Sequence, residues 1–377
     1  MKKKLIRVST VPESLETFCK GQLKWLSQYY DVVAISSPLQ ELDIIQEREG
    51  VKTIAVSMER HISLWKDLKS LVRMIIVLHQ EKPDIVHSMT PKAGLITMLA
   101  AWICRVPVRM HTYTGLVFPT ATGVMQQVLI WTDRILCACA NCINPEGKGV
   151  ANDLKKFNIT SKPLHIIGNG NVRGVDLTYW SKKSIKEESV MPSSLGIEND
   201  DFVFIFVGRL VGDKGINELI EAFEQIHQPH VKLLLVGPYE QNLDPLKEIT
   251  METIASDKRI ITTGSQRDVR PYYALADAFV FPSYREGFPN TVLEAGAMEL
   301  PSIVTNINGA NEIIEEGLNG IIIPARNSVK LLDAMNVFLE NKAMLKQMAN
   351  NARKVVETKF EQKFLWKELL KTYQSFS

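Results

Sequence analysis

Along this chain, short apolar segments alternate with amphipathic helical segments, and the alternation occurs twice. In the first half, the predicted strands are Leu5–Ser9, Asp31–Ser36, Lys52–Val56, Asp84–His87, Pro107–His111, Cys142–Asn144 and His165–Gly168. In the second half, they are Phe202–Val207, Lys232–Val236, Arg259–Thr262, Ala278–Phe281, Ser302–Thr305 and Gly320–Ile323. Strands separated by helices predict a parallel sheet. The sequence therefore predicts an α/β protein with two doubly wound sheets.

Between the two alternations, the stretch from Gly170 to about Asp200 is polar and irregular, as linkers are. The chain has 377 residues, which suits two domains of ordinary size. We therefore predict one domain over residues 1–178 and a second over 179–359. A final helical segment, 360–377, lies outside the second alternation.

Composition excludes several classes of protein. The net charge of +2 argues against a nucleic-acid binder. Five cysteines occur without the paired spacing of a zinc site, so we expect buried free thiols in a reducing, cytoplasmic compartment. The apolar run Ala93–Cys104 is shorter than the ~20 residues that span a bilayer. We expect a soluble protein that is at most attached to a membrane surface.

A first motif, Gly208-Arg209-Leu210-Val211-Gly212-Asp213-Lys214-Gly215, follows a buried strand and precedes a helix predicted from Ile216. The carboxyl ends of strands are where open α/β sheets bind ligands. Arg209 offers a planar fork for phosphate oxygens, and Lys214 offers a point charge. The alternative is a glycine-rich turn with two solvated cations.

A second motif, Glu286-Gly287-Phe288-Pro289-Asn290-Thr291-Val292-Leu293-Glu294, follows the strand Ala278–Phe281. Pro289 prevents a helix from running through it, so we predict a helix from about Thr291. The amides of Thr291 and Val292 would then be free to bind a diphosphate. Glu286 and Glu294 could accept hydrogen bonds from sugar hydroxyls. The alternative is a helix-terminal charge beside a surface glutamate.

Together, these motifs resemble the retaining glycosyltransferases of family 4, which have the GT-B fold. The resemblance covers almost the whole chain and includes Gly174-Val175-Asp176 at the predicted joint. It implies two Rossmann-like domains facing a central cleft, the first binding the acceptor and the second binding a nucleotide-sugar. It also implies that the last helix crosses back to the N-terminal domain.

The resemblance further implies how the donor is held. Arg209 and Lys214 would neutralise the diphosphate and leaving group, Glu286 would contact the donor sugar, and Glu294 would bind the ribose. The implied donor-binding residues are Gly208, Arg209, Lys214, Gly264, Arg267, Glu286, Gly287, Phe288, Pro289, Asn290, Thr291 and Glu294. The sequence has no acidic D-x-D motif, so we expect no metal and no cofactor. Retention of anomeric configuration is likewise implied.

Thr90–Gly94 and Gly168–Gly170 are similar to segments of a bacterial subgroup that assembles capsule, exopolysaccharide or O-antigen. The subgroup implies transfer of a hexose or N-acetylhexosamine from a UDP- or GDP-sugar to a polyprenyl-diphosphate-linked saccharide. Where related enzymes often have a histidine, this chain has Thr114, and His111 lies three residues earlier. His111 is a catalytic candidate, and the alternative is a structural histidine.

The segment Leu64–Gln80 is predicted to be a helix, with Leu64, Leu68, Leu71, Ile75 and Leu78 on one face. Its lysines and arginine leave two interpretations open: a helix packed on the sheet, or one lying at the inner membrane surface. Two other functions also remain open. They are a nucleotide-sugar 2-epimerase of the same fold and a non-catalytic nucleotide-sugar-binding protein.

Overall fold

The computed structural model describes residues 2–59, 63–186, 190–240 and 244–376. The chain forms two compact units: unit 1 is Met1–Gly174 with Lys363–Ser377, and unit 2 is Val175–Gln362. Each unit contains a six-stranded parallel sheet, which confirms the predicted α/β class. The domain boundaries predicted at 178/179 and 359/360 lie within a few residues of these divisions.

Unit 1 is built on the strands β1 (Lys4–Val8), β2 (Asp31–Ser36), β3 (Lys52–Ala55), β4 (Ile85–Met89), β5 (Val108–Tyr113) and β6 (Cys142–Pro145). Its helices before the linker are α1 (Pro12–Cys19), α2 (Gln22–Leu26), α3 (Glu41–Glu49), α4 (Leu64–Glu81), α5 (Pro91–Ile103), α6 (Gly123–Cys139) and α7 (Lys148–Lys156). The strand order is β3-β2-β1-β4-β5-β6. One apolar core contains residues of α4, α5 and α6, and a separate core contains residues of α1, α2 and α3.

Unit 2 is built on the strands β7 (Phe202–Val207), β8 (Val231–Val236), β9 (Ile260–Gly264), β10 (Ala278–Phe281), β11 (Ser302–Thr305) and β12 (Gly320–Ile323). Its helices are α8 (Ile216–Glu224), α9 (Glu248–Ser256), α10 (Arg270–Ala274), α11 (Asn290–Ala297), α12 (Ala310–Ile313), α13 (Ser328–Glu340) and α14 (Lys342–Lys359). The strand order is β12-β11-β10-β7-β8-β9. Strand β7 is buried from Val203 to Val207, as its unbroken apolar sequence predicts for a central parallel strand.

The last helix, α15 (Gln362–Ser375), belongs to unit 1 from Lys363 onward, as predicted for a helix that crosses back. Its buried face includes Leu369 and Tyr373, which pack into the core formed by α1, α2 and α3. The Tyr373 hydroxyl accepts a hydrogen bond from the buried guanidinium of Arg7 at 2.9 Å. It also lies 2.6 Å from Nδ1 of His87 on β4.

Two differences from the predicted strands bear on the site, whereas every predicted strand that forms agrees to within two residues at each end. The segment His165–Gly168 is not a strand, and the nearest sheet pairing is a single bridge between Ile143 and Leu164, the residue just before it. Gly168 has φ +57, and a Cβ there would lie 2.7 Å from Leu365 of α15, so the chain turns at that point. Strand β5 continues to Tyr113, so His111 lies inside the strand and not at its end.

The predicted apolar face of α4 is confirmed only in part, because Leu71, Ile75 and Leu78 do pack on the core of unit 1. The buried residues are Ser70, Met74, Val77 and Leu78, whereas Leu64 and Leu68 are exposed. The sequence places apolar residues all around this helix, so their spacing alone did not identify the face that packs on the sheet.

The five cysteines form no disulfide. Four of them are buried, as predicted, whereas Cys104 at the end of α5 is only partly covered. Burial raises the pKa of the Cys137 thiol to about 12. In the part of the chain that the structure describes, no helix is both long enough and apolar enough to cross a bilayer.

Candidate functional site

Two neighbouring strands of unit 2, β7 and β10, end at the same edge of the sheet. The chain proceeds to β8 and β9 on one side of β7 and to β10, β11 and β12 on the other, so this edge is a topological switch point. Open α/β sheets bind ligands at such points. The Gly208–Gly215 motif follows β7, and the Glu286–Glu294 motif follows β10. The fold therefore brings together the two motifs singled out from the sequence.

Hydrogen bonds fix the two loops against each other. The Tyr284 amide donates to the Asp213 carbonyl at 2.8 Å, and the Ser283 hydroxyl donates to the same carbonyl at 3.3 Å. Gly215 allows this approach, because a Cβ there would lie 2.1 Å from the carbonyl oxygen of Pro282. Gly215 also has φ +72, a conformation that glycine adopts without strain. The loops thus form one continuous surface at the strand ends.

Lys214 and Glu286 form an ion pair across these loops, from Nζ to Oε1. Their side chains are 16% and 20% exposed, so both groups remain accessible to solvent. The Ser283 hydroxyl lies 3.4 Å from the same carboxylate oxygen, and the ammonium lies 5.7 Å from the ring centre of Phe281. A cation and a carboxylate are therefore held side by side at the switch point.

Arg209 is more exposed and pairs with Glu240, which follows β8, at 2.7 Å. In the same region, the Gly212 amide donates to the Asp244 carbonyl at 3.2 Å, and the Asp213 amide donates to the Asp244 carboxylate. Sequence analysis missed Glu240 and Asp244. Their position soon after a strand, at the ligand-binding edge of the sheet, was the available signal.

Helix α11 begins at Asn290, one residue before the predicted start. Pro289 precedes it in extended conformation, Phe288 is buried in the core, and Glu294 is 7% exposed one turn into the helix. The expectation of two free amides is wrong for Val292, which donates to the Pro289 carbonyl at 3.2 Å because the first turn is tight. Thr291 is partly exposed at the second position of the helix.

Four further predicted residues lie at or after the ends of strands in this sheet. Gly208 directly follows β7, and its amide donates to the Val236 carbonyl at 3.0 Å. Gly264 ends β9 with φ +66, and Arg267 is exposed shortly after it. Strand β9 is separated from β7 by β8, so these two residues lie farther along the edge than Lys214 and Glu286. Gly287 is buried between Glu286 and Phe288.

The catalytic candidate His111 lies in unit 1, apart in the chain from this set, and is 1% exposed. Its Nδ1 is 2.8 Å from the Ser88 hydroxyl, and its ring packs edge-to-face on Tyr113. Burial lowers the pKa of His111 to about 3. Gly94 is required beside it, since a Cβ there would lie 2.4 Å from the imidazole. This geometry favours the structural alternative for His111.

His87 is also structural. It is buried, with Nδ1 at 2.6 Å from the Tyr373 hydroxyl and Nε2 at 2.7 Å from the Thr112 hydroxyl. Burial, together with the nearby Arg7 charge, lowers the pKa of His87 well below its ordinary value. Both histidines therefore stay neutral at physiological pH.

The unit 2 edge combines two accessible cations, Arg209 and Lys214, with the start of α11. Cations and a helix N-terminus both favour a phosphate anion. The carboxylates Glu286 and Glu294 suit the hydroxyl groups of a sugar or ribose. Chemically, the edge fits a phosphorylated, hydroxyl-rich ligand.

Comparisons with known proteins place the chain in a family. Residues 188–355 match the family model "Glycosyl transferases group 1", and residues 21–170 match "Glycosyl transferase 4-like domain". The chain is 32% identical to the capsular polysaccharide biosynthesis glycosyltransferase CapM of Staphylococcus aureus, over 99% of this chain and 97% of that protein. The protein belongs to the GT-B glycosyltransferases, in the subgroup of bacterial surface polysaccharide enzymes.

Two other proteins refine the comparison. The Escherichia coli UDP-Gal:alpha-D-GlcNAc-diphosphoundecaprenol alpha-1,3-galactosyltransferase is 30% identical, over 80% of this chain and 78% of that enzyme. A crystal structure of Anabaena Alr3699/HepE in complex with UDP matches with a TM-score of 0.82 at 19% identity, covering 100% of both chains. The likeness to HepE shows that the two chains share a fold.

Proposed function

We propose that this glycosyltransferase moves a hexose or N-acetylhexosamine from a UDP- or GDP-sugar to a polyprenyl-diphosphate-linked saccharide. Transfer retains the anomeric configuration, needs no metal ion, and takes place in the cytoplasm at the inner face of the membrane. The observation that carries the proposal is the Lys214–Glu286 pair, with Arg209 nearby, at the switch point of unit 2.

The chemistry of donor activation explains why these charges suit transfer. Breaking the bond between the anomeric carbon and the diphosphate oxygen leaves negative charge on the diphosphate. Fixed cations that face this developing charge lower the barrier. Arg209 and Lys214 are accessible and are each held by one carboxylate, so phosphate oxygens can replace Glu240 and Glu286 as their partners. The two side chains thereby take the place that a divalent ion has in other transferases.

The carboxylates then take separate roles. Once Lys214 binds phosphate, Glu286 is free to accept hydrogen bonds from the donor sugar, beside Gly287, Phe288, Pro289 and Asn290. Glu294, near the start of α11, accepts from the ribose hydroxyls, and Thr291 supports the diphosphate. Gly264 and Arg267 border the base farther along the edge. Unit 1 binds the acceptor.

The named relatives support the donor and acceptor classes. The Escherichia coli enzyme is named for a UDP-sugar donor and a diphosphoundecaprenol-linked acceptor. The HepE crystal structure contains UDP. The relative CapM is named for capsular polysaccharide biosynthesis. The two alternatives, epimerisation and non-catalytic binding, are outcomes of the test below.

The test is a transfer assay with the full chain, a panel of UDP- and GDP-sugars, and a short-chain polyprenyl-diphosphate saccharide. We expect one donor to give product with unchanged anomeric configuration by NMR, at the same rate with a chelator present. A parallel incubation without acceptor should leave the donor intact. Epimerised donor in that incubation would identify a 2-epimerase, and inversion or loss of activity with chelator would overturn the proposed mechanism.

A further inference from the structure

One helical layer of unit 1 exposes an unusual number of large apolar side chains. Helices α4 and α6 both pack against α5, and all three contribute to the same core. On α4, the exposed residues Trp65, Leu68, Val72 and Ile76 follow helical spacing and form one stripe. On α6, the exposed residues Val124, Val128, Trp131 and Ile135 form a second stripe.

Three tryptophans stand out on this layer. Trp65 is 85% exposed, Trp102 near the end of α5 is 58% exposed, and Trp131 is 59% exposed. The chain has six tryptophans, so half of them lie exposed on this one layer. Tryptophan in contact with water is characteristic of surfaces that enter the headgroup region of a bilayer, because its ring is apolar and its N–H is polar. We call this layer the tryptophan face.

The charge beside the tryptophan face is positive. Lys69 and Arg73 are exposed next to the α4 stripe, and the Arg134 guanidinium lies 5.3 Å from the ring centre of Trp131. The three helices contain only three carboxylates: Asp67, Glu81 and Asp133. Asp67 pairs with Lys92 at 2.7 Å, and Glu81 pairs with Lys4 at 2.9 Å. The positive charges of Lys69, Arg73 and Arg134 can therefore attract anionic headgroups.

From this combination we infer that the tryptophan face docks in the interface of an anionic bilayer, with α4 and α6 lying against the headgroups. Apolar stripes flanked by lysine and arginine are how amphipathic helices bind such interfaces. A second copy of the chain is the other possible occupant. The concentration of arginine and lysine favours lipid, because two identical basic faces would repel each other. The inference rests on the proposed function only in placing the acceptor at a membrane.

The test uses the full chain and vesicles whose lipids have brominated acyl chains, which quench inserted tryptophans. We expect quenching and co-flotation with vesicles that contain phosphatidylglycerol. The triple variant Trp65→Ser, Trp102→Ser, Trp131→Ser should bind at least about tenfold more weakly, because it loses the inserted apolar area. The variant Lys69→Gln, Arg73→Gln should lose roughly tenfold, and only on anionic vesicles.

Ile44→Ser is the matched control, since Ile44 is 54% exposed on α3, outside this layer, and should bind like the parent chain. Transfer to a water-soluble acceptor analogue should stay at the parental rate in every variant, which separates docking from catalysis. Equal vesicle binding by the triple variant and the parent would overturn the inference. So would sedimentation that shows a dimer lost in the triple variant, because the face would then bind a second copy.

Discussion

The two sheets have the same strand order but carry different chemistry at the same edge. In unit 2, the loops after β7 and β10 hold Lys214 and Glu286, which are charged and partly exposed. In unit 1, the corresponding strands are β1 and β4, and the loops after them meet through neutral hydroxyls. The Thr10 and Thr90 hydroxyls lie 2.8 Å apart, and the Thr10 amide donates to the Thr90 hydroxyl at 3.2 Å.

Unit 1 does contain a buried cation near this edge, but it is not available to a ligand. Arg7 of β1 is 1% exposed, and its guanidinium bonds to Gln22 and to Tyr373 of α15, each at 2.9 Å. Its role is to hold the last helix on the sheet. Topology alone therefore does not create an anion site. Accessible charges at the switch point make unit 2 the donor side of the proposal.

The largest effect that tests this comparison is expected from Lys214→Ala. Removing one of the two cations that face the leaving diphosphate should lower kcat/KM by about 10²–10³-fold. Steady-state kinetics with saturating acceptor would measure the loss. Lys214→Arg, which keeps the charge, should recover part of the rate.

Lys330→Ala supplies the control, because Lys330 is an exposed lysine of unit 2 paired with Asp333 at 3.0 Å on α13. It should transfer at the parental rate. Thermal unfolding of Lys214→Ala should stay near that of the parent chain. If Lys214→Ala transferred sugar at the parental rate, Lys214 would not stabilise the leaving diphosphate, and the proposed donor site at the unit 2 edge would be wrong.

Much of the fold could be predicted from the sequence because parallel strands buried on both faces have unbroken apolar runs. Strands β7 and β10 match their predicted bounds for this reason. The segment His165–Gly168 was predicted as a strand because apolar Ile166 and Ile167 look the same in a turn packed under α15. The apolar face of α4 is right only in part for a different reason: apolar residues surround the helix, and only its packing decides which of them are covered.

At the site, sequence spacing identified the residues that belong to a continuous motif. Arg209, Lys214 and Glu286 all stand at strand ends because each motif follows a strand directly. Glu240 and Asp244 could not be found in this way, since they contact the first motif only through the tertiary fold. His111 was predicted as a catalytic candidate because a strand end was assumed, whereas β5 continues beyond it.

The second prediction concerns the buried histidine His111 inside strand β5 of unit 1. Burial lowers the pKa of folded His111 from 6.5 to about 3, so folding favours the neutral imidazole. This contribution to stability is fully present above pH 6.5 and is lost as the pH falls toward 3. Over that window, the unfolding free energy of the parent chain should fall by roughly 1.4 kcal/mol per pH unit more than that of His111→Asn.

Denaturant unfolding of both chains at a series of pH values measures this difference. His87 is also buried and contributes in the same direction, so only the difference between parent and variant is assigned to His111. His79→Asn is the control, since His79 is exposed on α4. If the parent and His111→Asn lose stability in parallel below pH 6.5, His111 is protonated in the folded chain, and its description as a neutral structural histidine is wrong.

The smallest effect is expected at Glu240. Its substitution tests whether a diphosphate can replace this carboxylate as the partner of Arg209. Glu240 holds Arg209 at 2.7 Å, so a diphosphate must displace it. Exposed pairs of this kind contribute about 0.2–1 kcal/mol, so Glu240→Gln should bind UDP about 1.4- to fivefold more tightly by calorimetry. Glu221→Gln makes the same charge change on an exposed residue of α8 and should leave affinity unchanged. Weaker binding by Glu240→Gln would mean that the carboxylate contacts the nucleotide itself, and Arg209 would then be positioned by Glu240 and not released from it.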